Sequence, residues 1–352
     1  MHHQKFKAQR LKELVERLFI RAGTDEAVAS SVAAVLLEGE LLGHCTHGLN
    51  LVARYLQGVL DGELLAKAEA LETVISGPAS ALLDGQYLLG PHCVSEALAF
   101  AAQAASNHGV GMAVVRRAGH IGCLAAYLLP YTEKGLLPII YSSDPAARLV
   151  SAHGGIEPVL TPNPIAAGIP TSGLPILLDV SMSTITLGLL AQCRDRGERL
   201  PHSVVVSNGG GISDDPAAFF SSPAGSILPL GGLEFGHKGF ALGLLVEALT
   251  SGLAGHGRKD KPEHWGASAT VLVIDPRAFG GIGAFKQETQ NLVDLVKAST
   301  PLESTTPVRL PGQAGLTRRL HALEHGLALH PDVVQVLKAI ALSLDVTFPD
   351  AL

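Results

Sequence analysis

The sequence predicts an α/β protein: a largely buried sheet flanked by helical segments at both ends of the chain. Three observations carry this. From about Ser76 onward, short apolar runs rich in Val, Ile and Leu alternate with helical stretches. Both chain ends repeat apolar residues at helical spacing instead. No Gly-x-Gly-x-x-Gly follows an early strand, so the expected sheet is not the usual dinucleotide-binding one.

In order, Leu11, Leu14, Val15, Leu18 and Phe19 mark a first amphipathic helix, and Val28, Val32, Val35 and Leu36 a second after an Ala-Gly-Thr-Asp break. The stretch Gly43 to Gly58 interrupts and resumes the helical pattern, which places His44, Thr46 and His47 near a helix start. Ala81–Leu83 ends in the turn Asp84-Gly85-Gln86 before a helix over Val94 to Asn107. Buried strands follow at Met112–Val115, Leu137–Tyr141, Ile176–Val180 and Thr270–Ile274. Helices are expected at Thr184 to Gln192, Lys238 to Leu253 and Asp332 to Leu342. Three segments result: residues 1–75 helical and packing with the C-terminal segment, 76–300 the α/β domain, and 301–352 helical.

The 352 residues are 47% hydrophobic and only 16% charged, which fits an ordered globular protein with apolar surface to spare for an oligomer interface. Lys and Arg number 26 against 32 Asp and Glu, a net charge of −6, and the basic residues are scattered, which argues against nucleic acid as a partner. Cys45, Cys93, Cys123 and Cys193 form no CxxC pair, so neither a disulfide framework nor structural zinc is expected. Met1 to Arg21 lacks the apolar run of a signal peptide, and no uncharged stretch of about 18 apolar residues stands out. A cytoplasmic, non-membrane protein is expected.

Several segments carry candidate chemistry. Leu233-Glu234-Phe235-Gly236-His237-Lys238-Gly239 is a Gly-rich turn running into an apolar helix, where free N–H groups and a lysine would suit a phosphate; an ordinary helix entry reads the same way. His44-Cys45-Thr46-His47-Gly48 spaces two histidines as metal ligands on one helical face, but no HExxH or nearby carboxylate set supports metal. It reads either as a helix start with a surface histidine or as a general acid/base at His47. Gly119-His120-Ile121-Gly122 opens from a strand end, a common ligand-loop position. Asp179-Val180-Ser181-Met182-Ser183-Thr184 ends another strand with small hydroxyls, explained equally by ribose or phosphate binding and by capping. Neither a Gly-x-Ser-x-Gly elbow nor a P-loop is present.

Taken in this order, the segments resemble the malate/L-lactate dehydrogenase family that lacks the Rossmann fold. Its members include ureidoglycolate and sulfolactate dehydrogenases, diketogulonate reductase and the piperideine/pyrroline-2-carboxylate reductases. The similarity runs from about Lys12 to Val346. It rests on Thr46-His47-Gly48 with Tyr55, Asp84-Gly85 with Gly90, Gly119-His120-Ile121-Gly122, Gly154-Gly155 and Asn163-Pro164-Ile165-Ala166. Leu178 to Ser183, Asp214-Asp215-Pro216, Leu230-Gly231-Gly232, His237-Lys238-Gly239 and Arg309-Leu310-Pro311-Gly312 complete it.

The resemblance implies a non-Rossmann, mixed-sheet nicotinamide-binding domain, an intertwined homodimer, and hydride transfer between NADH or NADPH and a small 2-oxo or 2-imino acid. It implies His47 as acid/base with His120 in the same pocket, and Thr46, Tyr55 and Arg54 toward the substrate. It implies Asp179, Val180, Ser181, Met182, Ser183, Thr184, His237, Lys238, Gly312 and Gln313 toward the cofactor, and no metal. Three departures stand out. Thr46 replaces the usual serine, Thr161-Pro162 the usual Gly-Thr, and Leu51 the arginine expected to grip the substrate carboxylate. Arg54 and Arg148 are the candidate stand-ins for that arginine, while Arg194, Arg196 and Arg199 read either as a 2′-phosphate site or as a solvated loop. Two other classes remain: a catalytically silent nucleotide-binding dimer, and a metal hydrolase built on His44 and His47.

Overall fold

A short strand β1 (Gln4–Phe6) leads into α1 (Ala8–Arg21) and α2 (Glu26–Leu42). This is a computed structural model that describes residues 4–303 and 306–352; the ends of the expected 1–75 and 301–352 segments therefore fall in part outside the described residues. The five apolar residues that mark α1 are all fully buried, as the stripe requires. Gly43, in the left-handed region at φ 86°, closes α2. Two single 3₁₀ turns, Cys45–His47 and Leu49–Leu51, then carry the chain into α3 (Val52–Leu60).

Next come β2 (Glu72–Ser76), β3 (Ser80–Asp84), α4 (Gly90–His108), β4 (Val110–Ala118), α5 (Leu129–Thr132) and β5 (Leu137–Ser143). β2 and β3 pair antiparallel, while α4 makes the crossover that a parallel β3–β4 pair needs. The middle of the chain holds β6 (Val150–Ser151), β7 (Pro158–Leu160), β8 (Ile165–Ile169), β9 (Ile176–Val180), α6 (Leu187–Arg196), β10 (Val205–Val206), β11 (Ile212–Ser213), β12 (Ser226–Ile227) and α7 (Gly232–Glu247). β13 (Ala267–Ile274), α8 (Ile282–Ala298), α9 (Gln313–His325), β14 (Leu327–Leu329) and α10 (Pro331–Ser343) complete it.

The larger sheet has seven strands in the order β2-β3-β4-β13-β5-β8-β9. It is mixed, as expected, and its inner strands bury Ala113, Val115, Ile140, Ala269, Val271 and Val273 completely. The chain divides into two compact units, with the cuts inside or at the ends of β5, β8, β9 and β13. Unit 1 is Met1–Ile140, Ala166–Asp179 and Val271–Leu352; unit 2 is Tyr141–Ile165 and Val180–Thr270. Both fall partly within the stretch read from the sequence as one α/β domain. Within unit 1 the chain ends meet: β1 pairs antiparallel with β14, and the Phe6 and Phe348 rings pack edge to face at 5.6 Å. Unit 2 has a five-stranded mixed sheet, β11-β10-β12-β6-β7, over a core of Leu190, Cys193, Leu200, Val205 and Ile227.

One helix boundary is corrected. α7 starts at Gly232, not near Lys238, because Gly231 and Gly232 both take positive φ and turn the chain, and the Gly231 carbonyl accepts the Phe235 N–H. Lys238 therefore lies in the second turn of the helix rather than at its entry.

Candidate active site

The 3₁₀ turn Cys45–His47 is closed by the His47 N–H on the His44 carbonyl at 2.8 Å, and a buried carboxylate backs the turn that follows it. Glu40, on the last turn of α2, accepts the Leu49 N–H at 3.0 Å. A side chain at Gly48 would run into that carboxylate and come within 2.9 Å of the Glu40 backbone nitrogen, so the glycine of Thr-His-Gly is a packing requirement. Burial pushes the Glu40 carboxyl up, against the pull of its Cys45 and Leu49 donors. Sequence reading missed Glu40; nothing along the chain separates it from Glu38, two residues earlier on the same helix.

On this turn the Thr46 hydroxyl sits 2.9 Å from His47 Nδ1, and the other ring nitrogen has no hydrogen bond among the described residues. The His120 ring lies 5.6 Å away, centroid to centroid, tilted by 33°. Tyr55, fully buried on α3, holds it: its hydroxyl is 2.7 Å from His120 Nδ1 and 2.8 Å from the His120 carbonyl oxygen. The tyrosine expected to touch substrate thus has its polar end on His120. Gly90 lets α4 approach the same loop, since a Cβ there would clash with the Gly119 carbonyl and lie 2.7 Å from that of His120.

Both imidazoles resist protonation. Burial lowers the His47 pKa, opposed by the nearby Asp179 carboxylate and reinforced by His44. His120 is pushed down to about 3 by burial, then by His47 and Arg54. Arg54, though exposed on α3, therefore acts electrostatically on the pocket. Asp179, near the end of β9, is anchored by the Ala125 N–H at 2.9 Å, with the Cys123 thiol at 3.7 Å. Sequence reading placed Asp179 with the cofactor and missed the Ala125 contact and its field on His47.

Gly312 and Gln313 open α9 beside the same strand: the Leu177 N–H reaches the Pro311 carbonyl at 3.3 Å, and Gln313 Oε1 accepts the Leu310 N–H at 3.1 Å. Unit 1 thus brings together Thr46, His47, Arg54, Tyr55, His120 and Asp179, with Gly312–Gln313 next to the Asp179 strand. Leu51, half-buried in the second 3₁₀ turn, brings no charge to it.

Unit 2 holds the other cofactor candidates. Val180 is exposed. Met182 is buried, its N–H donates to the Pro162 carbonyl at 2.6 Å, and its carbonyl accepts from Leu230. The Ser183 and Thr184 hydroxyls donate to the carbonyls of Ile185 and Leu228, and Ser181 pairs with Ser183. Met182, Ser183 and Thr184 therefore shape this loop first, and fewer of its hydroxyl protons are available to a ligand than the sequence suggested. His237 and Lys238 are exposed on α7, with His153 edge to face on His237 at 5.5 Å and Lys238 over Phe235. His153, beside Gly154-Gly155, is a further polar residue not singled out from sequence. His237 and Lys238 both lie beyond the first turn of α7, past the free N–H groups that a helix N-terminus offers an anion. Asn163, fully buried, ties its loop to α7 through Gly243 and Glu247. Arg148 is exposed, while Arg194 pairs with Asp195 and Arg199 with Asp214. Among the described residues no three His, Cys, Asp or Glu side chains gather as metal ligands, His44 and His47 included.

The malate/L-lactate dehydrogenase family profile matches residues 6–338. A malate dehydrogenase of Pyrococcus abyssi is 30% identical over 339 residues, covering 94% of this chain and 92% of the relative. Among solved structures, malate dehydrogenase from Pyrococcus horikoshii OT3 superposes with a TM-score of 0.87 at 26% identity, covering 99% of this chain and 97% of that one. Delta1-piperideine-2-carboxylate reductase from Pseudomonas syringae gives 0.83 at 26% identity, covering 96% and 100%. A match over nearly the whole length sets the hydrolase reading aside, and the chain belongs to the malate/L-lactate dehydrogenase family of oxidoreductases.

Proposed function

We propose that this protein interconverts a small 2-hydroxy acid and its 2-oxo acid, with NADH or NADPH as hydride partner. The observation that carries the reading is the His47–His120 pair, with one imidazole free at one nitrogen and the other locked by Tyr55. When bound, the nicotinamide supplies or accepts the hydride. His47 takes the hydroxyl proton in oxidation and returns it to the oxyanion in reduction, help worth on the order of 10²–10⁴ in rate. Asp179 steadies the imidazolium formed on the way. His120, neutral and fixed, orients the reacting oxygen, and Arg54 is the cation toward the substrate carboxylate. In unit 2, Val180 to Thr184 with His237 and Lys238 belong to cofactor binding, as do Gly312 and Gln313 in unit 1.

A second reading, reduction of a cyclic 2-imino acid, is supported by the likeness to the piperideine carboxylate reductase and by the low proton affinity of both imidazoles. An iminium arrives already protonated and asks for no acid. The chain is read as a cytoplasmic homodimer: its four cysteines are free, and α7 and the turn after it expose Leu242, Leu245 and Leu253, apolar surface that a second copy would cover.

The test is nicotinamide fluorescence on titration with NADH and, separately, NADPH. It is followed by turnover of 2-oxo acids and of piperideine-2-carboxylate. Saturable binding of one cofactor with turnover of an oxo acid sustains the first reading, and turnover of the imine alone sustains the second. Binding of neither cofactor overturns both.

A further inference from the structure

Away from the histidines, a cleft of about 250 Å³ opens in unit 1, lined from α2, α4, α5 and α9 and by the 3₁₀ turn Leu124–Tyr127. Its floor is apolar, with Val35, Leu98 and Leu129, and its polar side holds Glu38, Glu133 and Arg319. Arg319 Nε donates to Glu38 Oε1 at 2.6 Å, and the two side chains are only 23% and 15% exposed. That bond uses one of the three guanidinium nitrogens; among the described residues neither Nη group has a hydrogen bond. Glu133 is exposed, has no ion pair among the described residues, and is close enough to Glu38 for its charge to be felt there.

A half-buried guanidinium with open donors, two carboxylates and an apolar floor form a mixed-sign site. A simple anion would face the Glu133 charge, and a simple cation would face Arg319. A zwitterion meets both. The volume lies below the roughly 300–1,000 Å³ of drug-sized pockets, so the ligand is a small metabolite.

We propose that this cleft binds a small α-amino acid with a short apolar side chain. Its carboxylate lies on the Nη edge of Arg319 and its ammonium toward Glu133 and Glu38, with the side chain on Val35, Leu98 and Leu129. Ala126 and Tyr127 line the same cleft, one and two residues beyond the Ala125 N–H that anchors Asp179. A ligand there braces the turn on which the Asp179 carboxylate depends, which makes the cleft a control point.

The experiment is calorimetric titration of the full chain with L-norvaline, L-norvalinamide and pentanoate, which share a tail and differ in charge. Norvaline is expected to bind saturably, with each single-charge analogue weaker by about tenfold or more, the effect of one lost charge-assisted contact. Glu133→Gln weakens norvaline binding. Ala34→Leu places a larger side chain at the exposed lip of the cleft and abolishes binding with thermal unfolding unchanged. His47→Gln leaves binding intact, which separates this cleft from the site of reaction. Absence of norvaline binding, equal binding of pentanoate, or binding indifferent to both Glu133→Gln and Ala34→Leu overturns the proposal.

Discussion

Tyr55→Phe removes a single oxygen from a fully buried ring, and the structure says what that oxygen does. It lies 2.7 Å from His120 Nδ1 and 2.8 Å from the His120 carbonyl. The phenol has one proton and the carbonyl can only accept, so the phenol donates to the carbonyl, and its oxygen also lies against Nδ1, toward which the Gly122 N–H points at 3.3 Å. Tyr55 therefore fixes the His120 ring and backbone together and leaves Nε2 on the far side of the ring. Losing two such bonds costs about 1 kcal/mol each, and desolvated groups left behind add about 1–3 kcal/mol, so about 3–5 kcal/mol is at stake. If all of it serves to hold His120 for reaction, kcat/KM falls by about 150- to 5,000-fold. Steady-state kinetics in both directions, with the urea midpoint and cofactor Kd measured alongside, test this. A Tyr55→Phe enzyme with kcat/KM within about twofold of the parent and an unmoved midpoint would refute the positioning role.

Three further outcomes are expected. His47→Gln lowers kcat by about a hundredfold or more with cofactor affinity little changed, and comparable turnover would remove His47 from the acid/base role. Both imidazoles titrate below their unfolded value of about 6.5. Folding thus favours their neutral forms, and the stability they contribute is complete above about pH 6.5 and is lost as pH falls toward about 3 for His120. Urea midpoints between pH 7 and 4 should therefore slope downward with falling pH, less steeply in His120→Asn; equal slopes would count against that depressed value. The acid limb of kcat/KM for hydroxy-acid oxidation should lie below the usual histidine range. Glu40→Gln, which keeps an acceptor for Leu49 N–H and removes a buried charge, should be neutral or stabilising, whereas Glu40→Ala should cost about 2–4 kcal/mol and loosen the His47 turn. Equal melting of the two variants would contradict that account.

The sequence made the large elements legible where one physical signal dominated. α1, α2, α4, β4, β5, β9 and β13 announced themselves by apolar period, since burial on one face or both leaves little choice of residue. The short strands of unit 2 did not, because two-residue pairings such as β10–β11 and β10–β12 leave no period to read. α8 was also missed, and α9 was covered only by the helical assignment of 301–352 without bounds of its own: each buries few apolar residues and otherwise exposes side chains such as Leu292, Leu295, Leu320 and Leu323. At the site, His47 and His120 were visible as residue types beside glycines. What gives them their character was not, because Glu40, Ala125 and the Tyr55 hydroxyl act across the fold rather than along the chain.

The electrostatics of this pocket follow from that non-local construction. Asp179 is the one carboxylate opposing the depression of the His47 pKa, against burial and His44. Its oxygen is held by a backbone N–H from the turn before Tyr127, which in turn ties back to the His120 loop through the Ile121 carbonyl. The anchor of Asp179 and a brace on the His120 loop therefore come from neighbouring residues of one short segment. A change there that leaves both histidines in place still alters how readily the first takes a proton and how firmly the second is held. Two imidazoles with centroids 5.6 Å apart thus sit in unlike surroundings, one beside a carboxylate and the other held by a phenol.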